Sequence, residues 1–186
     1  MIISTYALPG GVDLRLAALE DAEALAAAVR ENREHLSPWE PRWPESYFTA
    51  EGQAARLRDR LAQHEEGRLV PWLMVREGRV VGAVTLSGIV RGPFCSASLG
   101  YWVAAGHLGR GLASAAVRHV CETAGEALGL HRVEASTVVR NVRSQRVLEK
   151  CGFDRIGTAP RYLHIDGRWQ DSHLFQRVLH DEPPVM

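Results

Sequence analysis

A glycine-rich connection between a strand-like run and a helical run limits the folds open to this chain. Residues 97–103 read Ala-Ser-Leu-Gly-Tyr-Trp-Val, residues 106–111 contain three glycines, and the pattern of residues 112–129 predicts a helix. Glycine reaches positive φ and lets a ligand approach the backbone, and the first turn of a helix has N–H groups without partners. The connection is therefore predicted to form an anion site suited to a pyrophosphate, to which Arg110 can add a formal charge.

This connection has two other interpretations. It fits a plain strand-to-helix turn, in which glycines are common. It also partly matches the dinucleotide fingerprint, but Gly109-x-Gly111-x-x-Ser114 lacks the third glycine. The next strand carries its acidic residue, Glu134, in mid-strand instead of at the carboxyl end, where a ribose would need it. We therefore reject a nicotinamide site of the Rossmann type, and the plain turn stays open as the alternative.

Strand and helix patterns follow one another along the chain without an internal repeat or a low-complexity linker. Period-two alternation and apolar runs predict strands at 12–16, 69–76, 79–86, 97–103, 131–138, 153–158, 162–165 and 171–179. Helical spacing predicts helices at 20–32, 49–66, 112–129 and 141–151. We expect a loop at 87–94, and a final hairpin whose loop around Asp166-Gly167 is longer than two residues. The order of elements predicts one α/β domain, a mixed sheet with helices packed on it.

Composition excludes several classes of function. Lys and Arg number 22 and so do Asp and Glu, which removes the basic surplus that direct binding of nucleic acid usually needs. Cys95, Cys121 and Cys151 form no C-x-x-C motif and no pairing with histidine at metal spacing, so we expect neither a disulfide framework nor a metal site. No apolar run approaches the ~18 residues of a membrane span, and residues 1–5 lack the features of a signal peptide. We expect a cytoplasmic protein.

A second polar motif follows the strand at 131–138. Asn141 stands at the N-cap position of the next predicted helix, Ser144 follows three residues later, and Gly152 is expected to end the helix in a left-handed conformation. Asn141 and Ser144 then face the gap beside the strand that leads into the glycine-rich connection. The alternative is that Asn141 only caps the helix and Ser144 is a surface serine.

Taken in order, these motifs resemble the GNAT acetyltransferases over nearly the whole chain. The motifs are Leu-Gly-Tyr-Trp-Val, Gly-Arg-Gly-Leu-Ala, Val-Glu-Ala-Ser and Asn-x-x-Ser-x-x-Val-Leu-Glu-Lys-x-Gly-Phe. Residues 35–41, 90–94 and 162–169 further resemble the ribosomal-protein-alanine N-acetyltransferases of the RimJ/RimL type. The resemblance implies a single GNAT-like domain over residues 1–186, with a mostly antiparallel mixed sheet flanked by helices.

The resemblance implies acetyl-CoA as the co-substrate and no metal. By this resemblance, the backbone of Val103 pairs with the pantetheine arm, Asn141 bonds the same arm, and Ser144 lies near the sulfur. The pyrophosphate loop is implied to comprise Gly109, Arg110, Gly111, Ala113 and Ser114.

Acetyl transfer to an amine needs a neutral amine and a proton for the departing thiolate. The resemblance suggests Ser144 as the proton donor. Leu163 stands where RimL-type relatives have a glutamate base, so the remaining candidates for the base are Glu134, Glu40 and His164. We favour Glu134, on the strand next to the co-substrate. Its carboxylate pairing with an arginine is the alternative, and so is a water chain without a dedicated base.

In relatives, a proline-rich loop and the last hairpin form the walls of the acceptor groove. The corresponding residues here are Trp39, Glu40 and Trp43 in the loop, and Tyr162, His164 and Trp169 near the hairpin. Stiff aromatic rings give contact area at low entropic cost, and a carboxylate can hold a cationic amine. Each tryptophan alone is better explained as a partly buried packing residue, so the argument for a groove depends on the cluster as a whole.

Three functions remain open from the sequence. The first and favoured one is acetylation of a protein N-terminus, of the ribosomal-protein-alanine type. The second is acetylation of a small amine such as a polyamine, an amino acid or an antibiotic. The third is a non-catalytic module that binds acetyl-CoA. Dimers are common among similar enzymes, which makes a homodimer one expectation.

Overall fold

The computed structural model describes residues 4–183, and all of its strands join one sheet. The strands are β1 Tyr6–Leu8, β2 Val12–Leu16, β3 Leu69–Arg76, β4 Arg79–Val90, β5 Ser96–Val103, β6 Arg132–Val138, β7 Asp154–Ile165 and β8 Arg168–Val178. Their order across the sheet is β1-β2-β3-β4-β5-β6-β8-β7. Among the strands within residues 4–183, β5 and β6 are parallel neighbours and the other pairs are antiparallel. The predicted α/β fold with a mixed, mostly antiparallel sheet is confirmed, and the ends of the expected domain, residues 1–3 and 184–186, lie outside the described residues.

Helices cover both faces of the sheet. They are α1 Ala22–Glu31, α2 Arg33–Leu36, α3 Ala50–Glu65, α4 Leu112–Glu126 and α5 Val142–Lys150. The apolar sides of α1 and α3 pack on one face, and those of α4 and α5 pack with the larger core on the other. The helix at 49–66 begins as predicted, because the Thr49 side chain accepts a hydrogen bond from the Gly52 amide at 3.0 Å. Within residues 4–183, no helix combines the length and apolarity needed to cross a membrane.

The two parallel strands stay together only at their beginnings. β5 and β6 pair at three positions, the last of which joins Ser98 to Glu134. Beyond that pair the two strands are no longer paired, and a groove opens between their carboxyl ends. Ligands of α/β sheets commonly bind in such a crevice. The divergence of β5 from β6 therefore places the candidate site.

The loop predicted at 87–94 is wrong over its first part. β4 continues to Val90 instead of ending at Leu86, and the register with β5 shifts between Ser87 and Val90. Gly88 has φ of 58° at this shift. A glycine inside a strand can mark a bulge as well as an end, and here the strand resumes after it.

The prediction that the loop of the final hairpin is longer than two residues is also wrong. Asp166 and Gly167 have φ of 51° and 73°, and Ile165 pairs directly with Arg168. Two central residues with positive φ match the twist of antiparallel strands, so the turn closes with two residues. β8 consequently begins at Arg168, three residues before the predicted start, and β7 is one strand where two short ones were predicted.

Candidate active site

The groove between β5 and β6 is the larger of the two cavities near the carboxyl ends of these strands. It has a volume of about 580 Å³ and extends from the start of α4 to the last hairpin. Its lining includes Trp39, Glu40, Tyr101, Val103, Asn141 and Ser144. Of the predicted site residues, this cavity is lined by Trp39, Glu40, Val103, Ala113, Asn141 and Ser144, whereas Gly109, Arg110, Gly111 and Ser114 are not part of its lining.

The start of α4 leaves a row of backbone amides open. Gly109 and Gly111 have φ of 74° and 77°, and no side chain caps the helix. Within residues 4–183, the amides of residues 109–114 donate to no protein acceptor. The first that does is the Ala115 amide, at 3.0 Å from the Gly111 carbonyl. Open amides at a helix N-terminus fit the diphosphate of coenzyme A without a side-chain partner.

A buried asparagine fixes the approach to this turn. The Asn32 side chain at the end of α1 accepts a hydrogen bond from the Ala105 amide at 2.8 Å, and it donates to the Ala28 carbonyl at 2.8 Å. Both polar ends of the buried amide are thus satisfied. Sequence reasoning missed Asn32 because its partner lies 73 residues further along the chain.

The backbone of Val103 faces the groove. The amide of the next residue, Ala104, donates to Val81 of β4 at 2.9 Å. Backbone groups of successive strand residues point to opposite edges, so those of Val103 point to the edge from which β6 has separated. Its carbonyl lies 3.2 Å from Nε2 of His35 in α2. The Val103 backbone therefore faces the groove, and its pairing with the pantetheine arm stays a prediction.

Asn141 and Ser144 are joined at the start of α5. The Asn141 side chain accepts a hydrogen bond from the Ser144 amide at 3.2 Å, which confirms the predicted cap. The Ser144 hydroxyl lies 2.8 Å from the hydroxyl of Tyr101 on β5. Burial raises the pKa of Tyr101 to about 12, so its phenol stays protonated at neutral pH. Tyr101 is a site residue that the sequence reasoning missed, although it alternates with Leu99 and Val103 on one face of β5.

Glu40 brings the proline-rich loop into the groove. Its Oε2 accepts a hydrogen bond from Nε1 of Trp43 at 2.9 Å, and its carbonyl accepts one from the Asp166 amide at 2.9 Å. Burial raises the pKa of Glu40 in spite of the Trp43 bond. The second bond attaches the loop to the final hairpin, so the two predicted walls are neighbours.

Trp39 lies on the other side of Glu40 and also lines the groove. The Arg140 guanidinium lies 4.9 Å from the centre of the Trp39 ring and donates to the Pro38 carbonyl at 2.9 Å. This contact joins the loop to the residue just before Asn141. Trp39 therefore lies between Glu40 and the end of the groove at which α5 begins.

The structure does not bring Glu134 into the groove, which is a correction to the favoured base. Glu134 belongs to the last pair that β6 forms with β5, below the point where the strands separate. Its Oε1 lies 3.0 Å from Nη2 of Arg132. The alternative stated for it, a strand carboxylate paired with an arginine, describes its geometry.

His164 is also outside the groove. Leu163 and Ile165 line the cavity, and the alternation of a strand turns His164 to the opposite side. There its exposed ring contacts the Trp169 ring, with centres 5.4 Å apart. The last hairpin therefore contributes apolar side chains to the groove and no imidazole.

The structure also places the metal-ligating side chains and the three cysteines. Among residues 4–183, no three His, Cys, Asp or Glu side chains converge as metal ligands would. Cys95, Cys121 and Cys151 are buried free thiols, and burial raises the pKa of Cys121 to about 12. The Cys151 thiol donates to the Ser114 carbonyl at 3.4 Å, which joins α5 to α4.

Comparison with known proteins agrees with this geometry. A family model described as an acetyltransferase (GNAT) domain matches residues 12–154. The chain is 36% identical over 157 residues to the probable N-acetyltransferase YjcK of Bacillus subtilis (strain 168), covering 83% of this chain and 86% of that protein. It is 34% identical over 177 residues to the ribosomal protein uS5-alanine N-acetyltransferase of Escherichia coli (strain K12), covering 92% of this chain and 89% of that protein.

A solved structure resembles the whole fold. Mycobacterium smegmatis RimJ in complex with CoA-disulfide superposes with a TM-score of 0.88 at 31% identity, covering 94% of this chain and 86% of that one. This structural neighbour therefore has CoA-disulfide bound on a similar fold.

Proposed function

Since the chain belongs to the acetyltransferase (GNAT) family, and is an acetyl-CoA-dependent acyltransferase related to the ribosomal-protein-alanine N-acetyltransferases, we propose that its acceptor is the N-terminal α-amine of a protein. The observation that carries the proposal is that Glu40 and the Ser144–Tyr101 pair line one groove, which reaches Leu108 and Ala113 beside the open amides. The class of acceptor is inferred from the names of related enzymes, such as the ribosomal protein uS5-alanine N-acetyltransferase.

The proposed donor site uses the groove from end to end. The amides of residues 109–114 would hold the diphosphate, with Arg110 as an additional charge. The Val103 backbone and the Asn141 side chain would hold the pantetheine arm. The thioester supplies an activated acetyl carbonyl when acetyl-CoA is bound. These contacts hold the carbonyl and the amine in one orientation, which is a large part of the catalysis of a two-substrate reaction.

Ser144 is the proposed donor of a proton to the departing sulfur. The Tyr101 hydroxyl lies 2.8 Å from Ser144 Oγ and 3.1 Å from the Ser144 carbonyl oxygen, and its one hydrogen goes to one of these two acceptors. When the phenol donates to Oγ, the hydrogen of the serine is free to point into the groove, whereas donation to the carbonyl makes the serine the donor to the phenol. A phenol whose pKa is about 12 keeps its own proton at neutral pH, so it can hold Ser144 in the first of these arrangements. Tyr101 is thus a positioning residue for Ser144.

Glu40 replaces Glu134 as the proposed base. Glu40 lines the groove, and its raised pKa brings it closer to the pKa of an amine than an exposed carboxylate would be. An α-amine has a pKa of about 8 and is partly neutral at pH 7, whereas that of lysine is about 10.4. A carboxylate base therefore suits an α-amine better than a lysine side chain.

Thiol release from acetyl-CoA tests the acceptor class. One peptide begins with a free alanine, a second carries the same sequence with a blocked N-terminus and an internal lysine, and spermidine serves as a small amine. We expect release with the free N-terminus and little with the other two. Release with spermidine or lysine alone would overturn the proposed acceptor, and tight acetyl-CoA binding without any turnover would favour a binding module.

A further inference from the structure

A second cavity adjoins the groove on the acceptor side. It has a volume of about 300 Å³ and lies between α3 and the sheet. The two cavities share four lining residues, which are Glu40, Gly100, Tyr101 and Trp102. A Cβ placed on Gly100, which lines both cavities, would meet nothing within 4 Å, so the space beside this residue is open. An acceptor whose amine lies near Glu40 can therefore extend into this cavity.

Two arginines of α3 line the second cavity. Arg56 and Arg60 are four residues apart and so lie on the same side of the helix. The Arg56 guanidinium lies 4.4 Å from the centre of the Trp43 ring and 4.9 Å from that of Tyr47. Stacking on rings fixes the plane of a guanidinium and leaves its N–H edge free to donate.

Neither guanidinium lies within ion-pair distance of a carboxylate in the described part of the chain, although the charge of Glu40 acts on both. Arg56 and Arg60 form no ion pair and no hydrogen bond there, whereas Arg33 on α2 pairs with Glu45 at 2.5 Å. Burial and the nearby Arg56 lower the pKa of Arg60, yet an arginine remains charged at neutral pH. Glu40 is the carboxylate that lines the same cavity, and one carboxylate cannot neutralise two cations.

A half-buried cation without a counterion lowers the stability of a folded protein, and a bound anionic ligand would remove that cost. The planar fork of arginine matches a carboxylate with two parallel hydrogen bonds. A volume of about 300 Å³ is at the lower limit of ligand sites, so the cavity suits one residue better than a long segment.

We propose that Arg56 and Arg60 bind a carboxylate of the acceptor, and that the enzyme prefers acceptors with an acidic group next to the reacting amine. This inference rests on the proposed function, in which the acceptor is a protein N-terminus. The carboxylate is then the side chain of Asp or Glu at the second position. The α-carboxylate of a free amino acid offers the same chemistry from a different source.

Two matched pairs of acceptors test the proposal and separate the two sources. The peptides begin with Ala-Glu and Ala-Gln and are otherwise identical, and the small acceptors are alanine and alaninamide. For the native enzyme we expect kcat/KM to be roughly 10–100-fold higher for the carboxylate member of a pair. Arg60→Gln should remove most of this preference, mainly through KM. Arg58→Gln, on the exposed side of the same helix, should keep it.

Calorimetric affinity for acetyl-CoA reports that each variant is folded, and Arg56→Gln gives a second variant of the site. Equal kcat/KM within both pairs would overturn the proposal, and so would a preference that survives Arg60→Gln and Arg56→Gln. In either case, turnover of the peptides would leave the proposed function standing. A preference for alanine over alaninamide without peptide turnover would support the arginine site and overturn the protein acceptor. Absence of turnover with all four acceptors would overturn both.

Discussion

The hydroxyl oxygens of Tyr101 and Ser144 lie 2.8 Å apart, although 43 residues separate them in the chain. Tyr101 is on β5 and Ser144 is in the first turn of α5, which follows β6. The two side chains can meet because β5 and β6 diverge after Ser98 and Glu134. The same divergence opens the groove, so the proposed proton donor and the donor site have one structural origin.

Loss of the Ser144 hydroxyl should slow the reaction without weakening donor binding. We expect Ser144→Ala to lower kcat by about 10²-fold, the lower range for a lost general acid, with nearly the native Kd for acetyl-CoA. Tyr101→Phe should lower kcat less, because it removes only the orientation of Ser144. Steady-state kinetics and calorimetry measure the two quantities.

Ser136, a second serine that lines the groove, provides the control. Ser136→Ala should retain native kcat. Since Tyr101 is proposed to act through Ser144, the double variant should be no slower than Ser144→Ala alone. Unchanged kinetics in Ser144→Ala would remove Ser144 from the mechanism.

A carboxylate placed in the glycine turn should repel the diphosphate. We expect Gly111→Glu to raise the Kd for acetyl-CoA by roughly 10²-fold or more, because a like charge would enter an anion site. Gly129→Glu is the matched control, since Gly129 is also exposed and also has a positive φ, 60° against 77°. Both variants carry backbone strain, so equal affinities measured by calorimetry would refute the loop assignment.

The activity of the native enzyme should depend on the ionisation of Glu40. A base must be unprotonated, so kcat/KM should fall as pH falls through the pKa of Glu40, which burial raises above its ordinary value. Glu40→Gln should lower kcat by about 10²-fold and abolish this ionisation from the pH profile. Glu34→Gln, on the exposed side of α2, should leave the profile intact. An unchanged acidic limb in Glu40→Gln would exclude Glu40 as the base.

The ion pair of Arg15 and Asp21 should contribute to stability away from the site. Arg15 donates to both carboxylate oxygens of Asp21, at 2.8 and 2.6 Å, and the Ala18 amide donates at 2.8 Å. Burial alone would raise the pKa of Asp21, but these bonds outweigh it and lower the pKa. We expect Asp21→Asn to reduce the free energy of unfolding at pH 7 by about 1–3 kcal/mol.

The sign of the pH dependence follows from that lowered pKa. The contribution of Asp21 is fully present above the unfolded pKa of about 3.9 and is lost as pH falls through the lower folded pKa. The difference between the native protein and Asp21→Asn in urea unfolding should therefore shrink in acid. Asp13→Asn, exposed on the same strand as Arg15, should cost little. A difference that grows in acid would contradict the ion pair.

Local chemistry explains which parts of the fold could be predicted from sequence. The strand at 69–76, the Thr49 and Asn141 caps and the left-handed Gly152 are correct, because each depends on residues a few positions apart. β1 was not predicted, since a strand of three residues is too short to show alternation.

The errors about the site residues concern features that depend on residues far apart in the sequence. Glu134 was misplaced because its role depends on where β5 and β6 separate, and sequence alone does not give that register. His164 was misplaced because the sequence does not show which side of the strand at 162–165 lines the groove, and Leu163 and Ile165 are on that side. Asn32, His35 and Tyr101 were missed because each contacts a partner distant in sequence.

A crystal structure with bound acetyl-CoA tests the central claim most directly. We expect diphosphate oxygens within about 3.2 Å of amides in the 109–114 turn, and the pantetheine arm beside the Val103 backbone with its sulfur near Ser144. A diphosphate bound elsewhere, with these amides facing solvent, would contradict the assignment of the groove between β5 and β6.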